Sequence, residues 1–342
     1  METTHEMQVG DARDLELEAG SVDLVVTSPP YPMVEMWDDG FAAQSPAAAA
    51  ALETGDGDAA FEAMHALLDD VWGRVADALR PGGVAAVVVG DATRRLGGSF
   101  RLYPNHARVV EGLSAAGLQQ LPGIVWRKPT NSSAKFMGSG TLPTNAYATL
   151  EHEHVLLFRN GDTRSFPPND EDRYASAFFW EERNEWFSDC WEVRGAGQTL
   201  DDGRRERSGA FPLEIPLRLV RMYSVRGDTV LDPFAGTGTT ATAALLEARS
   251  SVGVERDPEL VAAFEERAAE APTRSEEIAE DRLRRHREFV ADDEREADYE
   301  ADHYDTRVVT AAERGIRLST VAAVERVGEA PLRVVATHES FR

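Results

Sequence analysis

The chain has 342 residues, 42% of them hydrophobic, enough to bury one large core with an appendage or two ordinary domains. It shows no run of about eighteen apolar residues and no basic-then-apolar start, so it reads as a soluble cytoplasmic protein; its single cysteine, Cys190, excludes a disulfide framework or a thiolate metal cluster. Sixty acidic against 36 basic residues leave a net charge of −24, and carboxylates spread over most polar stretches point to a halophile's hydrated surface, with an acidic protein from a GC-rich genome as the plainer alternative.

Residues 7–9 and 22–27 are short β-branched runs that read as buried parallel strands, with Asp11 directly after the first. After residues 32–39, the Ala-rich stretch to Asp58 reads as a loop or weak helix over a site. Phe61, Met64, Leu67, Leu68, Val71, Val75 and Leu79 repeat at helical spacing, and Pro81-Gly82-Gly83 ends that amphipathic helix. A buried strand over 84–89, a helix over 103–116 and a strand over 123–127 follow. From Lys128 to Phe211 the rhythm breaks, leaving a strand at 154–158 and an aromatic run from Phe178 to Trp191. A helix over 212–223, a strand over 229–231, a helix over 239–249 and a strand over 252–254 restore it. A charged helical stretch to about residue 300 and a small strand-and-helix unit over 308–335 complete the chain. Alternating strands and helices predict an α/β fold with a doubly wound, mostly parallel sheet.

Two motifs carry chemistry. In Asp232-Pro233-Phe234-Ala235-Gly236-Thr237-Gly238-Thr239-Thr240 a strand ends on a carboxylate, and the glycines allow a sharp turn and close ligand approach. The helix that follows turns free amides and its positive dipole end into the crevice. Glu255 ends the next strand, 23 residues after Asp232, where an acid can take both hydroxyls of a ribose. The missing third glycine disfavours NAD. In Thr27-Ser28-Pro29-Pro30-Tyr31 the prolines fix φ, so that Ser28 Oγ and the Pro29 carbonyl are aimed. An exocyclic amine conjugated into a base is a poor nucleophile. Acceptors that draw its protons would localise its lone pair, and the Tyr31 ring offers a face that suits a flat base.

The first motif resembles the S-adenosyl-L-methionine motif of amino-group DNA methyltransferases, and the second resembles their catalytic motif. Their order is similar to the circularly permuted β-class, in particular to haloarchaeal site-specific N4-cytosine enzymes. This resemblance covers 7–258. It implies a Rossmann-like fold with a catalytic half over 1–127, an inserted target-recognition region over 128–210, a cofactor half over 211–270 and a charged helical extension over 271–342. It also implies that Ser28, Pro29, Pro30 and Tyr31 are catalytic. Asp232, Phe234, Gly236 and Gly238, with Pro233 and Thr239 beside them, would line the methionine end of S-adenosyl-L-methionine; Glu255 would hold the ribose, Asp11 would face the adenine, and Phe211-Pro212 would be the remaining cofactor-side motif. Serine at position 28 is the family's usual sign of cytosine N4, where aspartate marks adenine N6. An N6-adenine enzyme, a dead DNA-binding relative and a methylase of RNA or protein amides stay open. The implied partners are double-stranded DNA, read at a short site such as CTAG, and a separate restriction endonuclease; monomer and homodimer are both open.

Other candidates are weaker. Lys128 and Lys135, the only lysines, flank Asn131 and suggest DNA contacts. Arg204-Arg205-Glu206-Arg207 and the basic run over 282–287 either track a DNA backbone or form solvated helix faces. His152 and His154 share a strand face at chelating distance, but no third ligand is evident and methyl transfer needs no metal, so none is expected.

Overall fold

In the computed structural model, which describes residues 1–128, 140–195, 211–292 and 297–342, the chain begins β1 (Glu2–Val9), β2 (Val22–Thr27), α1 (Asp38–Gln44), α2 (Pro46–Thr54) and α3 (Gly57–Ala78). It continues β3 (Leu79–Val89), β4 (Ala92–Leu96), β5 (Ser99–Tyr103), α4 (Asn105–Ala115), β6 (Gln119–Arg127), β7 (His152–Arg159), α5 (Glu171–Ala175), α6 (Trp180–Trp186) and β8 (Cys190–Glu192). After it come α7 (Glu214–Tyr223), β9 (Thr229–Asp232), α8 (Thr239–Leu246), β10 (Ser250–Glu255), α9 (Pro258–Ala269) and α10 (Ala271–Asp292). The end is β11 (Tyr299–Glu300), β12 (Arg307–Val308), β13 (Ser319–Glu329) and β14 (Leu332–Ser340).

One ten-stranded sheet runs in the order β13-β14-β1-β10-β9-β2-β3-β7-β6-β8. Its centre, β1-β10-β9-β2-β3, is all parallel, and β7 and β14 pair antiparallel with its two edges. These strands read as apolar runs because both faces are buried. Leu24 and Val26 enter one core with α7 and α8, while Val25 enters the other with Val71 and Trp72 of α3. Helix α3 forms because its apolar positions recur every three or four residues, and Asp56 accepts a hydrogen bond from the Ala59 amide at its start.

Several expectations change. The Ala-rich stretch is two helices, α1 and α2, joined where Ser45 caps Ala48 N ahead of Pro46. Within the stretch expected as an insertion, β7 lies inside the sheet between β3 and β6, with Val155, Leu157 and Phe158 buried. The segment expected as a small unit at 308–335 is largely the β13–β14 hairpin, which joins the sheet through six residue pairs between β14 and β1. A β4–β5 hairpin occupies residues expected to be connection and helix start, and α4 begins only after Pro104. No helix among the described residues is long and apolar enough to cross a membrane.

Candidate active site

Strands β9 and β2 are neighbours, but the chain leaves β9 through α8 towards β10 and leaves β2 through α3 towards β3. Their carboxyl ends therefore open a crevice at the point where the winding reverses, the usual place for a ligand in such sheets. A cavity of about 350 Å³ lies there, and its wall includes Asp11, Ser28, Pro30, Phe211, Asp232, Pro233, Phe234, Gly236, Thr239 and Glu255. The two motifs, about two hundred residues apart, touch directly: Thr27 Oγ1 donates to Asp232 Oδ1 at 2.6 Å. Pro29, Tyr31, Pro212 and Gly238 do not line this cavity.

Asp232 is buried, and burial pushes its carboxyl up to about 6 against the pull of hydrogen bonds from Thr27, Thr240 and the Phe234 amide. Glu255 is held by three backbone amides, Gly236 N at 2.9 Å on one oxygen and Arg256 N and Asp257 N at 2.7 and 3.0 Å on the other. A carboxylate has about four acceptor positions, so one remains for a ligand hydroxyl. Arg13 grips both oxygens of Asp11 at 2.8 and 3.0 Å, and this bonding holds the Asp11 carboxyl below its usual range.

The glycines divide their work in a way the motif does not predict. A Cβ on Gly236 would enter open space on the cavity side, whereas one on Gly238, at φ +79°, would lie 2.7 Å from the buried Phe264 ring. Both glycines are left-handed, Gly236 at φ +52°, and so make the turn; Gly238 in addition serves close packing of α8 on α9, and Gly236, on the cavity wall, leaves room for ligand approach. Beside it, Thr237 Oγ1 is buried at the cavity wall without a hydrogen-bond partner among the described residues.

Ser28 Oγ lies 3.0 Å from the Tyr31 hydroxyl, which donates to Glu153 Oε2 at 2.9 Å. Lys128 donates to the other oxygen of Glu153 and sits 4.4 Å over the Trp126 ring. Lys128 is thus engaged within the protein. Asn131, Lys135 and Arg204-Arg207 lie outside the described residues.

The basic run on α10 is divided between the interior and the surface. Arg282 is buried in a two-bonded ion pair with Glu182 at 2.7 and 2.8 Å, and His286 stacks on Phe179. Arg284 pairs with Asp281 and Glu288. His154 has more company than expected: His106 stacks on it at 4.2 Å and bonds Asp91, and the three offer ligand atoms within 4.8 Å of one another.

Sequence reasoning missed Trp37, Phe41 and Gln44 in and beside α1, which form a wall of the cavity, and Leu67, Leu68 and Val71, which were read only as core. The expectation of a segment over the site was the available signal for α1. No signal marked Glu153, because its contact with Tyr31 spans 122 residues.

A family model described as DNA methylase, for N6/N4 methyltransferases, matches residues 22–266. Type II methyltransferase M.MthZI of Methanothermobacter thermautotrophicus is 45% identical over 324 residues, 93% of this chain and 91% of its own length. M.MjaI of Methanocaldococcus jannaschii is 47% identical over 277 residues, 78% of this chain and 91% of its own. Neither organism bears out the expected haloarchaeal kinship. Among solved structures, TTHA0409 of Thermus thermophilus, complexed with S-adenosyl-L-methionine, superposes with a TM-score of 0.61 at 34% identity over 78% of this chain and 95% of that one. The cytosine-N4-specific PvuII DNA methyltransferase, at 20% identity and a TM-score of 0.54 over 76% and 85%, shares the fold. With the cofactor-type turn and the Ser-Pro-Pro-Tyr motif meeting at one crevice, the chain belongs to the DNA methylase family of N6/N4 amino-methyltransferases.

Proposed function

We propose that the protein is a site-specific DNA methyltransferase that methylates the exocyclic N4 amine of a flipped-out cytosine. The observation that carries this reading is Ser28 on the wall of the same cavity as Phe234, Gly236 and Glu255, with Thr27 bonded to Asp232 between the two motifs. The methyl donor is S-adenosyl-L-methionine, which the related TTHA0409 holds in its own structure; when bound, it supplies an electrophilic methyl group on a sulfonium. The cavity suits it: Gly236 leaves room for close approach, Thr237 Oγ1 awaits a partner, and Glu255 keeps acceptor capacity for one ribose hydroxyl.

Asp232, ionised above about pH 6, draws the cationic methionine end into the crevice. Ser28 Oγ and the Pro29 carbonyl accept the two amine protons, which makes the lone pair available for in-line attack. Tyr31 holds the base by its ring, and the α1 wall helps exclude water. Serine rather than aspartate at position 28 favours cytosine, and PvuII, named cytosine-N4-specific, is a fold neighbour. The relatives named Type II methyltransferases support a short recognition site and a separate nuclease partner.

The test is to express the protein, digest host DNA and RNA to nucleosides, and identify methylated species by mass spectrometry beside a Ser28→Ala variant. The expected product is 4-methylcytosine in DNA, with the variant slower by about ten- to a thousandfold and equal in cofactor affinity. Only 6-methyladenine would move the reading to adenine; methylation confined to RNA, or none, would overturn it.

A further inference from the structure

Three side chains beyond the cavity form a hydrogen-bonded line to Ser28, and the proton count along it has only one solution. Lys128 has donors only, so it occupies one oxygen of Glu153 as an ion pair. The other oxygen of that carboxylate has no proton to give, so the contact at 2.9 Å must be Tyr31 donating to it. Burial, reinforced by the nearby Glu153 charge, pushes the Tyr31 phenol well above its ordinary value, so it keeps its single proton for this bond. Tyr31 oxygen can then only accept from Ser28, 3.0 Å away, and the Ser28 proton is consumed. What Ser28 turns to the cavity is lone pairs alone.

We propose that Glu153, anchored by Lys128, is a positioning residue that fixes the direction of the Tyr31–Ser28 hydrogen bond and so commits Ser28 Oγ to a base bearing an amino group rather than a carbonyl at the reacting position. The inference rests on the function proposed above and extends it, since a serine hydroxyl left free could donate to a carbonyl as readily as accept from an amine. A keto base at this site would meet lone pair against lone pair, or would have to break the Ser28–Tyr31 bond. The argument is the same for cytosine and adenine.

The test compares duplexes carrying the mapped target site with either the amino base or its keto counterpart, uracil in place of cytosine. Glu153→Gln can turn its amide NH2 towards Tyr31, which lets Tyr31 donate to Ser28 and frees the serine proton. It is expected to slow single-turnover methyl transfer by about ten- to a hundredfold, to leave S-adenosyl-L-methionine affinity unchanged and to shrink the binding preference for the amino over the keto duplex by about tenfold. Tyr31→Phe, which removes only the hydroxyl and so tests the line without disturbing the Glu153–Lys128 pair, is expected to lose rate similarly. The double variant should be no slower than the slower single one, because both interrupt one line. Parental rate and preference in Glu153→Gln, or losses that multiply in the double variant, would overturn the proposal. A parental enzyme that methylates no amino group in DNA would instead overturn the proposed function itself.

Discussion

Replacing Asp232 with asparagine is expected to stabilise the protein at pH 8 while weakening its hold on S-adenosyl-L-methionine. The carboxyl is 4% exposed, and burial raises it from 3.8 to about 6, the bonds from Thr27, Thr240 and Phe234 N pulling the other way. Between those values the folded chain keeps a proton that the unfolded chain has released, so stability falls as pH rises from about 4 to 6 and stays low above. At about 1.4 kcal/mol per pH unit the ionised carboxylate costs the fold about 3 kcal/mol at pH 8. Asparagine keeps the oxygen that accepts from Thr27 and Phe234 N but carries no charge. The gain, at roughly 2 °C per kcal/mol for a chain of this length, is about 6 °C in melting temperature, and it should shrink as the pH is lowered to 5. Calorimetric titration should show the opposite sign in function, a loss on the order of tenfold in affinity for the cationic cofactor. An asparagine variant that melts at or below the parental temperature at pH 8, or a gap that does not narrow towards pH 5, would refute the reasoning.

Gly238→Ala should destabilise the fold by about 2–4 kcal/mol, from left-handed backbone strain and the clash with Phe264, whereas Gly236→Ala, left-handed at φ +52° but facing open space, should cost only the backbone strain of about 1–2 kcal/mol and lose cofactor affinity as well; thermal melts and calorimetry separate the two. Arg282→Ala should cost about 3–5 kcal/mol because it strands the buried Glu182 carboxylate, while Arg284→Ala, at the surface, should leave the denaturation midpoint unchanged. Methyl transfer and helical content should both rise towards molar KCl as screening relieves the charge of −24; best activity near about 0.1 M KCl in a folded protein would remove the halophile reading.

The central strands were legible because β2, β3, β9 and β10 are buried on both faces and therefore read as apolar runs, and α3 because its period is unbroken. The same rule finds α10 as a charged helix but hides its burial, because its buried stripe is Ala271, Ser275, Ala279, Arg282, Leu283 and His286. There the buried polar groups are satisfied by partners far along the chain, Glu182 and Glu181, so composition alone suggests a solvated helix. The pairing of β14 with β1 joins the two ends of the chain, and nothing local specifies it. At the site, turn and acid positions followed from strand ends. The separate duties of Gly236 and Gly238 depend on where Phe264 packs, which the motif does not contain.

Charge balance decides how such an acidic chain meets a polyanion. Among the described residues, the deeply placed arginines are spent internally: Arg282 on Glu182, Arg221 on Glu247, Arg94 on Asp38 and Arg108 on Asp69. Lys128 is spent on Glu153. The dependence of DNA affinity on salt scales with the number of phosphates neutralised, roughly 0.9 of a logarithmic unit per contact for each tenfold rise in salt. A protein that offers few free cations loses little on that account, and a surface of unpaired carboxylates gains when salt screens its repulsion from the duplex. These four arginines thus pair within the protein rather than grip the backbone. For a surface with few cations left free, base edges and duplex shape are the contacts that molar salt weakens least.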